Sequence, residues 1–267
     1  MTILEALILG LVQGLTEFLP ISSSAHLVLT EKLLGLDFPG LAFEVFLHSA
    51  SLLAVIIFFW KDIVSIVVSF FSYIIKRNHS DLAEFRFGVL LLIATLITGV
   101  LGLLLEDFMG DALRSSKVIA FSLFATGIFL ILVERLQGYG LRREGDMTIK
   151  DAIIVGLAQT LAVIPGISRS GSTLVAALWT GLAKETAIRY SFILSIPVIL
   201  GSTVLMLPEL GLGFFTSQPL ALTVSFLASF ISALLGIKWL IYFVNKSKLA
   251  YFAGYVFFIG ILTLIYM

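Results

Sequence analysis

Residues 165–173 read PGISRSGST, and they interrupt one of the most apolar parts of the chain. IIVGLAQTLAVI (153–164) lies upstream and LVAALW (174–179) downstream, so Arg169 and four hydroxyl side chains are flanked by lipid-compatible sequence on both sides. Non-helical backbone at membrane depth is tolerated only where protein or a wet cavity surrounds it. The stretch therefore reads as the tip of a re-entrant hairpin: 149–164 end at Pro165-Gly166, and 172–182 stop at the charged AKETAIR. Residues 3–19 and 25–34, around Pro20 and ISSSAH, form a second such pair of half-length helices.

The composition agrees with a membrane location. Of 267 residues 59% are hydrophobic and 13% charged, with a mean hydropathy of +1.10, whereas a soluble domain carries about 25% charged residues. The formal net charge is zero, which gives no footing for nucleic acid. Cysteine is absent, which removes disulfides and thiolate metal sites. The opening MTILEALILGL has no basic region and carries Glu5, so it is not expected to be a cleaved signal peptide. About 20 apolar residues cross the hydrocarbon as a helix, and six stretches qualify: 41–60, 86–105, 117–134, 187–207, 218–244 and 249–266. Residues 62–75 are apolar but short and flanked by Lys61, Lys76 and Arg77, so they are expected to lie along the interface or pack beside the bundle.

The two hairpins are copies of one another. Glu5–Leu29 aligns without a gap on Asp151–Val175, with identities that include Ala6/Ala152, Gly10/Gly156, Gln13/Gln159, Ile21/Ile167, Ser22/Ser168 and Ser24/Ser170. Internal duplication follows. The expected fold is an all-α polytopic membrane protein built as an inverted repeat, 1–136 and 149–267, each one re-entrant hairpin plus three spans. Three crossings are odd, so the second copy is inserted upside down. Lys61, Lys76, Arg77, Arg86, Arg135, Arg142, Arg143, Lys150, Lys184, Arg189, Lys246 and Lys248 collect on one side, and only Lys32, Arg114 and Lys117 on the other. The first side is expected to be cytoplasmic, which puts both termini and the first hairpin outside.

If the tips meet, Gln13, Glu17, Ser22, Ser23, Ser24 and His26 face Ser168, Arg169, Ser170, Ser172 and Thr173. Gln13 and Glu17, at i and i+4, share a helix face. An unpaired charge at this depth costs about 2.5 to 3.5 kcal/mol, so Glu17 and Arg169 could serve only to neutralise each other. A guanidinium also gives a bidentate fork to phosphate oxygens, and the start of a helix after Gly166 favours an anion. The second hairpin then reads as an oxyanion cradle, while the first supplies a carboxylate, a histidine and hydroxyl nucleophiles. His48, one turn after Glu44, is a candidate for lining the same site.

QGLTEFLPISSSAH (13–26) and PGISRSGST closely resemble the two signature motifs of the undecaprenyl-diphosphate phosphatase family, also called the bacitracin-resistance protein family. FEVFLHSASLLAVIIFFW (43–60) resembles that family's next span. The family pattern (Glu or Gln)-x-x-x-Glu falls on Gln13 and Glu17, and Pro-Gly-x-Ser-Arg-Ser-x-x-Thr on Pro165, Gly166, Ser168, Arg169, Ser170 and Thr173. The resemblance implies hydrolysis of a C55 polyprenyl diphosphate to the monophosphate, which recycles the lipid carrier of cell-wall synthesis in a bacterial plasma membrane. It also implies a divalent cation, Mg²⁺ or Ca²⁺. Arg169 with Ser168, Ser170 and Thr173 would hold the diphosphate, and Glu17 would bind the metal or act as base. His26 would be base, acid or nucleophile, and Ser22 or Ser23 an alternative nucleophile.

The rival class is a polyprenyl-phosphate flippase, which shares inverted repeats and broken helices. A carrier has no need of Glu17 and His26 beside three serines, and this favours the enzyme. The expected partners are the lipid substrate and the membrane, with a homodimer the only assembly in view. The orientation is checked by labelling, since no native cysteine interferes: Gly145→Cys should react only with cytoplasmic reagent and Gly211→Cys only with external reagent, and the reverse pattern would invert the topology.

Overall fold

The computed structural model describes residues 1–36, 38, 42–109, 115–135, 140–206 and 212–266. Arg114 and Gly211 lie outside them. The described residues form twelve α-helices: α1 (Ile3–Phe18), α2 (Ser23–Leu34), α3 (Ala42–Phe58), α4 (Trp60–Lys76), α5 (Leu82–Met109), α6 (Ser116–Arg135), α7 (Ile149–Thr160), α8 (Arg169–Trp179), α9 (Lys184–Met206), α10 (Leu212–Ser217), α11 (Pro219–Asn245) and α12 (Ala250–Tyr266). Among the described residues four helices are long and apolar enough to cross a membrane, His79–Leu105, Ser116–Arg135, Lys184–Met206 and Pro219–Asn245. The pair α3 and α4 qualifies jointly as a fifth, bent by 75°. The chain is thus an all-helical, multi-pass membrane protein. The expected span 249–266 is a 17-residue apolar helix.

Local sequence sets where the half-length helices begin and end. The first helix of each pair opens with a capping box, Thr2 with Glu5 on α1 and Thr148 with Asp151 on α7, so two orphan N–H groups are satisfied reciprocally. Pro20 closes α1. The chain then passes through Ser22 at φ 70°, a left-handed conformation that strains a non-glycine residue by about 1–3 kcal/mol. Helix α2 ends at Gly35 in the left-handed region, its N–H bonded to Lys32 O and that of Leu36 to Glu31 O. In the second pair α7 gives way to a single 3₁₀ turn, and Gly166 at φ 97° turns the chain into α8. Helix α8 starts at Arg169 rather than at 172, because Ser168 is its cap and accepts from Gly171 N at 3.1 Å. Arg169 is therefore the first helical residue and not part of the turn.

Residues 62–75 belong to α4, whose Ile66, Phe70 and Tyr73 face α5 at Gly88 and Phe85. Its other apolar face, Trp60, Val64, Val67, Val68 and Phe71, is exposed.

Close packing places the hairpins. Helix α1 lies along α11, α7 along α5, and α6 along α12. Apolar burial gains little between helices in lipid, so small residues that bring backbones together matter more. A Cβ on Gly14 would stand 2.1 Å from both Ser229 O and Ser232 Oγ, and one on Gly10 2.3 Å from Ser225 O. At Gly99 of α5 nothing lies within 4 Å. Gly14→Ala should therefore lower the thermal midpoint of the detergent-solubilised protein, an overpacking cost of about 1–3 kcal/mol. Gly99→Ala should leave it unchanged or raise it slightly, since alanine is the better helix former by about 1 kcal/mol. Equal midpoints for the two variants would contradict this packing.

Candidate functional site

Gln13 and Glu17 sit on the buried side of α1, 0% and 5% exposed. Glu17 is the hub. Its Oε2 accepts from Gln13 Nε2 at 2.8 Å and from Ser23 Oγ at 2.8 Å, and His48 Nε2 of α3 lies 3.1 Å away. Its Oε1 accepts from Arg169 Nη2 of the second hairpin. A carboxylate taken out of water needs its lone pairs matched by donors and its charge matched by a cation. Gln13, Ser23 and Arg169 donate from α1, α2 and α8, and His48 of α3, whose Nδ1 lies 2.7 Å from Glu44 O, adds a fourth donor and a second cation when its ring is protonated. The Arg169 guanidinium also lies 5.9 Å from the Phe18 ring centroid.

The tips of the two hairpins touch. Ser170 Oγ donates to Leu19 O at 2.9 Å, and a Cβ on Gly171 would lie 3.2 Å from Pro20 Cβ. Ser168, Ser170 and Thr173 are buried to within 3%, and their hydroxyls are engaged inside the cradle. Ser168 Oγ caps α8 and lies 3.2 Å from Ser170 Oγ. Thr173 Oγ1 donates to Arg169 O at 3.0 Å and also meets Ser191 Oγ of α9. These side chains surround the turn, while Arg169, partly exposed and paired with Glu17, is its cation. Ser172 is half-buried beside it.

On α2 the serines divide. Ser23 faces Glu17, whereas Ser22 Oγ and Ser24 Oγ pair with each other at 3.2 Å. His26 does not join Glu17. Its Nδ1 lies 2.7 Å from Ser22 O and its Nε2 2.9 Å from Tyr255 Oη of α12. Three contributors were missed by sequence reasoning: Tyr255, Ser191 and Thr126. Thr126 Oγ1 of α6 donates to Gly166 O and accepts from Ser168 N, both at 3.2 Å, and so fixes the PGIS turn. The one signal available was a hydroxyl within an otherwise apolar span, and that alone does not select a partner.

For a divalent cation, no group of three His, Cys, Asp or Glu side chains placed to hold a metal ion is found among the described residues. Gln13 Oε1, however, is buried next to the Glu17 carboxylate without a hydrogen-bond partner. Mg²⁺ and Ca²⁺ are oxygen-seeking, and Mg²⁺ is commonly held by one or two carboxylates plus substrate phosphates. The donor set at Gln13 and Glu17 fits such an ion.

Fold and site together define a multi-pass helical membrane protein with a buried carboxylate–guanidinium centre suited to an anionic headgroup. The chain belongs to the bacitracin resistance protein BacA family, whose model matches residues 6–262. It is 53% identical over 268 residues to undecaprenyl-diphosphatase 2 of Halalkalibacterium halodurans, covering 100% of this chain and 96% of that protein. It is similar also to undecaprenyl-diphosphatase 1 of Shouchella clausii, 51% identical with 100% and 97% covered. Undecaprenyl-diphosphatase 3 of Bacillus anthracis is 44% identical, with 99% and 98% covered.

Proposed function

We propose that this chain hydrolyses undecaprenyl diphosphate at the meeting point of its two hairpins, with Ser23 as nucleophile. The activity follows from family membership and from full-length relatives named undecaprenyl-diphosphatase. The flippase reading draws nothing from these comparisons. The single observation that carries the mechanism is the bond from Ser23 Oγ to Glu17 Oε2 at 2.8 Å, a hydroxyl within hydrogen-bond reach of a base that is itself oriented by further groups.

The steps follow from charge. The diphosphate competes with Glu17 for the Arg169 guanidinium, and the N-terminus of α8 adds its dipole. Once Arg169 turns to the phosphate, Glu17 loses its cationic partner on Oε1 and is free to take a proton. Ser23 Oγ attacks the terminal phosphorus, its proton passes to Glu17, and the bond from that phosphorus to the bridging oxygen breaks. Undecaprenyl phosphate leaves, and water then cleaves the phosphoserine to release phosphate. His48 keeps Glu17 aligned from α3. A divalent cation held by Glu17 and Gln13 Oε1 would neutralise charge on the diphosphate oxygens. Every group named comes from one chain, so the reading requires no second copy.

The membrane arrangement proposed with it has six spans, two re-entrant hairpins, repeats 1–136 and 149–267, and both termini outside. Reciprocal packing supports it, α1 on α11 of the other half and α7 on α5, as do the matching capping boxes. The basic side is then cytoplasmic, and the first hairpin opens toward the outer leaflet.

Phosphate release from a polyprenyl diphosphate by the purified protein, with and without Mg²⁺ or Ca²⁺, tests the chemistry. Glu17→Gln, Arg169→Ala and Ser23→Ala should each lower turnover by about 10²-fold or more while remaining membrane-inserted. Near-full activity of Arg169→Ala would exclude this site, and near-full activity of Ser23→Ala alone would move the attack to water.

A further inference from the structure

With the phosphate chemistry assigned to Glu17, Ser23 and Arg169, His26 is left as a buried imidazole turned away from the carboxylate. Both of its ring nitrogens are engaged. Nδ1 lies 2.7 Å from Ser22 O, an atom that can only accept, so Nδ1 carries the hydrogen and Nε2 offers a lone pair in the neutral ring. Tyr255 Oη, 2.9 Å from Nε2, donates to it. The two rings also stack, with centroids 5.5 Å apart and planes 12° apart. His26 is 8% exposed and Tyr255 41%, so the tyrosine reaches from the outer surface of α12 into the site.

The bond that His26 makes in turn falls on the one strained residue of the hairpin. Ser22 holds φ 70°, and a non-glycine residue persists there only where its surroundings over-determine it. Its carbonyl accepts both His26 Nδ1 and His26 N, the latter at 3.3 Å. Donation from a tyrosine hydroxyl to one imidazole nitrogen polarises the ring and strengthens the donor at the other. The series Tyr255 to His26 to the Ser22 carbonyl thus ends one peptide bond from Ser23, the first residue of α2, whose hydroxyl is aimed at Glu17. An equivalent device stands in the other half, where Thr126 of α6 fixes the Gly166–Ser168 turn. In each case a hydroxyl on the helix after the longest span of its half holds one hairpin at its tip.

We propose that Tyr255 is a positioning residue for the reaction: acting through His26, its hydroxyl holds the strained turn at Ser22 and so presents Ser23 to Glu17. This rests on the reading of Ser23 at the start of α2 as the reacting group. It accounts for a histidine that lies within the site but makes no contact with the carboxylate.

The test removes the hydroxyl and keeps the ring. Tyr255→Phe should lower kcat for phosphate release roughly fivefold to tenfold, the effect of one hydrogen bond, with KM for the polyprenyl diphosphate little changed, because the Arg169 cradle is untouched. Tyr251→Phe, one turn away on the same exposed face of α12, should behave as the parent. In ¹⁵N-histidine spectra of the detergent-solubilised protein, the unprotonated nitrogen of His26, assigned by its loss in His26→Gln, should shift in Tyr255→Phe and not in Tyr251→Phe. The double variant His26→Gln/Tyr255→Phe should turn over no more slowly than His26→Gln alone, since the two changes break one series. Parent-like turnover and an unmoved nitrogen resonance in Tyr255→Phe would overturn the proposal, and so would multiplicative losses in the double variant. Equal losses in both tyrosine variants would overturn it as well. If Ser23→Ala keeps full turnover, the fault lies instead with the site reading on which it rests.

Discussion

A carboxylate buried among apolar helices constrains everything around it. Glu17 is only 5% exposed, and an ion so buried is tolerated only with a counter-charge and a full set of donors. The first hairpin can supply the donors, Gln13 one turn earlier and Ser23 across the break. It has no cation of its own at that depth. Arg169 comes from the second hairpin and His48 from α3, so the two tips must meet for the guanidinium to reach its counter-charge. The same contact builds the site: the group that neutralises Glu17 at rest is the one a diphosphate would compete for. On the proposed reading, stability of the resting state and recognition of the substrate would be two uses of one ion pair.

The scaffold serves that contact. Short helices broken by Pro20 and by Pro165-Gly166 would expose unpaired backbone groups if the breaks faced lipid, and Pro20 and Gly166 are instead buried. The approach of α1 to α11 is set by Gly10 and Gly14, where a side chain would collide with backbone carbonyls. Of the serines along α11, Ser232 donates to Ala228 O of its own helix and lies 3.4 Å from Gly10 O of α1, and Ser229 donates to Leu47 O of α3. Elsewhere Arg189 of α9 gathers Asp62, Glu84 and Glu144, joining α4, α5 and the segment before α7.

Much of this was legible in the sequence, for physical reasons. Hydropathy with Pro and Gly punctuation located the hairpins, because both signals are local along the chain. The i, i+4 spacing of Gln13 and Glu17 put them on one face, and the cost of an isolated charge in lipid required a partner such as Arg169. His48 could be placed as a candidate by the same argument. What escaped was the choice of partner between helices far apart in sequence. His26 reads as a neighbour of Glu17 but turns to Tyr255, 229 positions away. Ser168, Ser170 and Thr173 read as phosphate ligands, but the cap and the backbone carbonyls that their hydroxyls engage could not be read from the sequence. A periodicity tells which face a residue occupies and not which helix that face meets. Helix α8 begins at Arg169 for a related reason: Ser168 and Ser172 are both plausible caps, and only the path of the Gly166 turn selects between them.

The central claim is that the two tips are in contact, and disulfide formation tests it most directly in a protein without cysteine. A Cβ at Gly171 falls 3.2 Å from that of Pro20, close to the separation of about 3.5–4.5 Å that a disulfide spans. The Pro20→Cys/Gly171→Cys protein, oxidised in the membrane and digested, should yield a cross-linked peptide pair joining the two motifs. If both thiols stay free while the protein remains folded, the tips do not meet, and a site shared between Glu17 and Arg169 is contradicted.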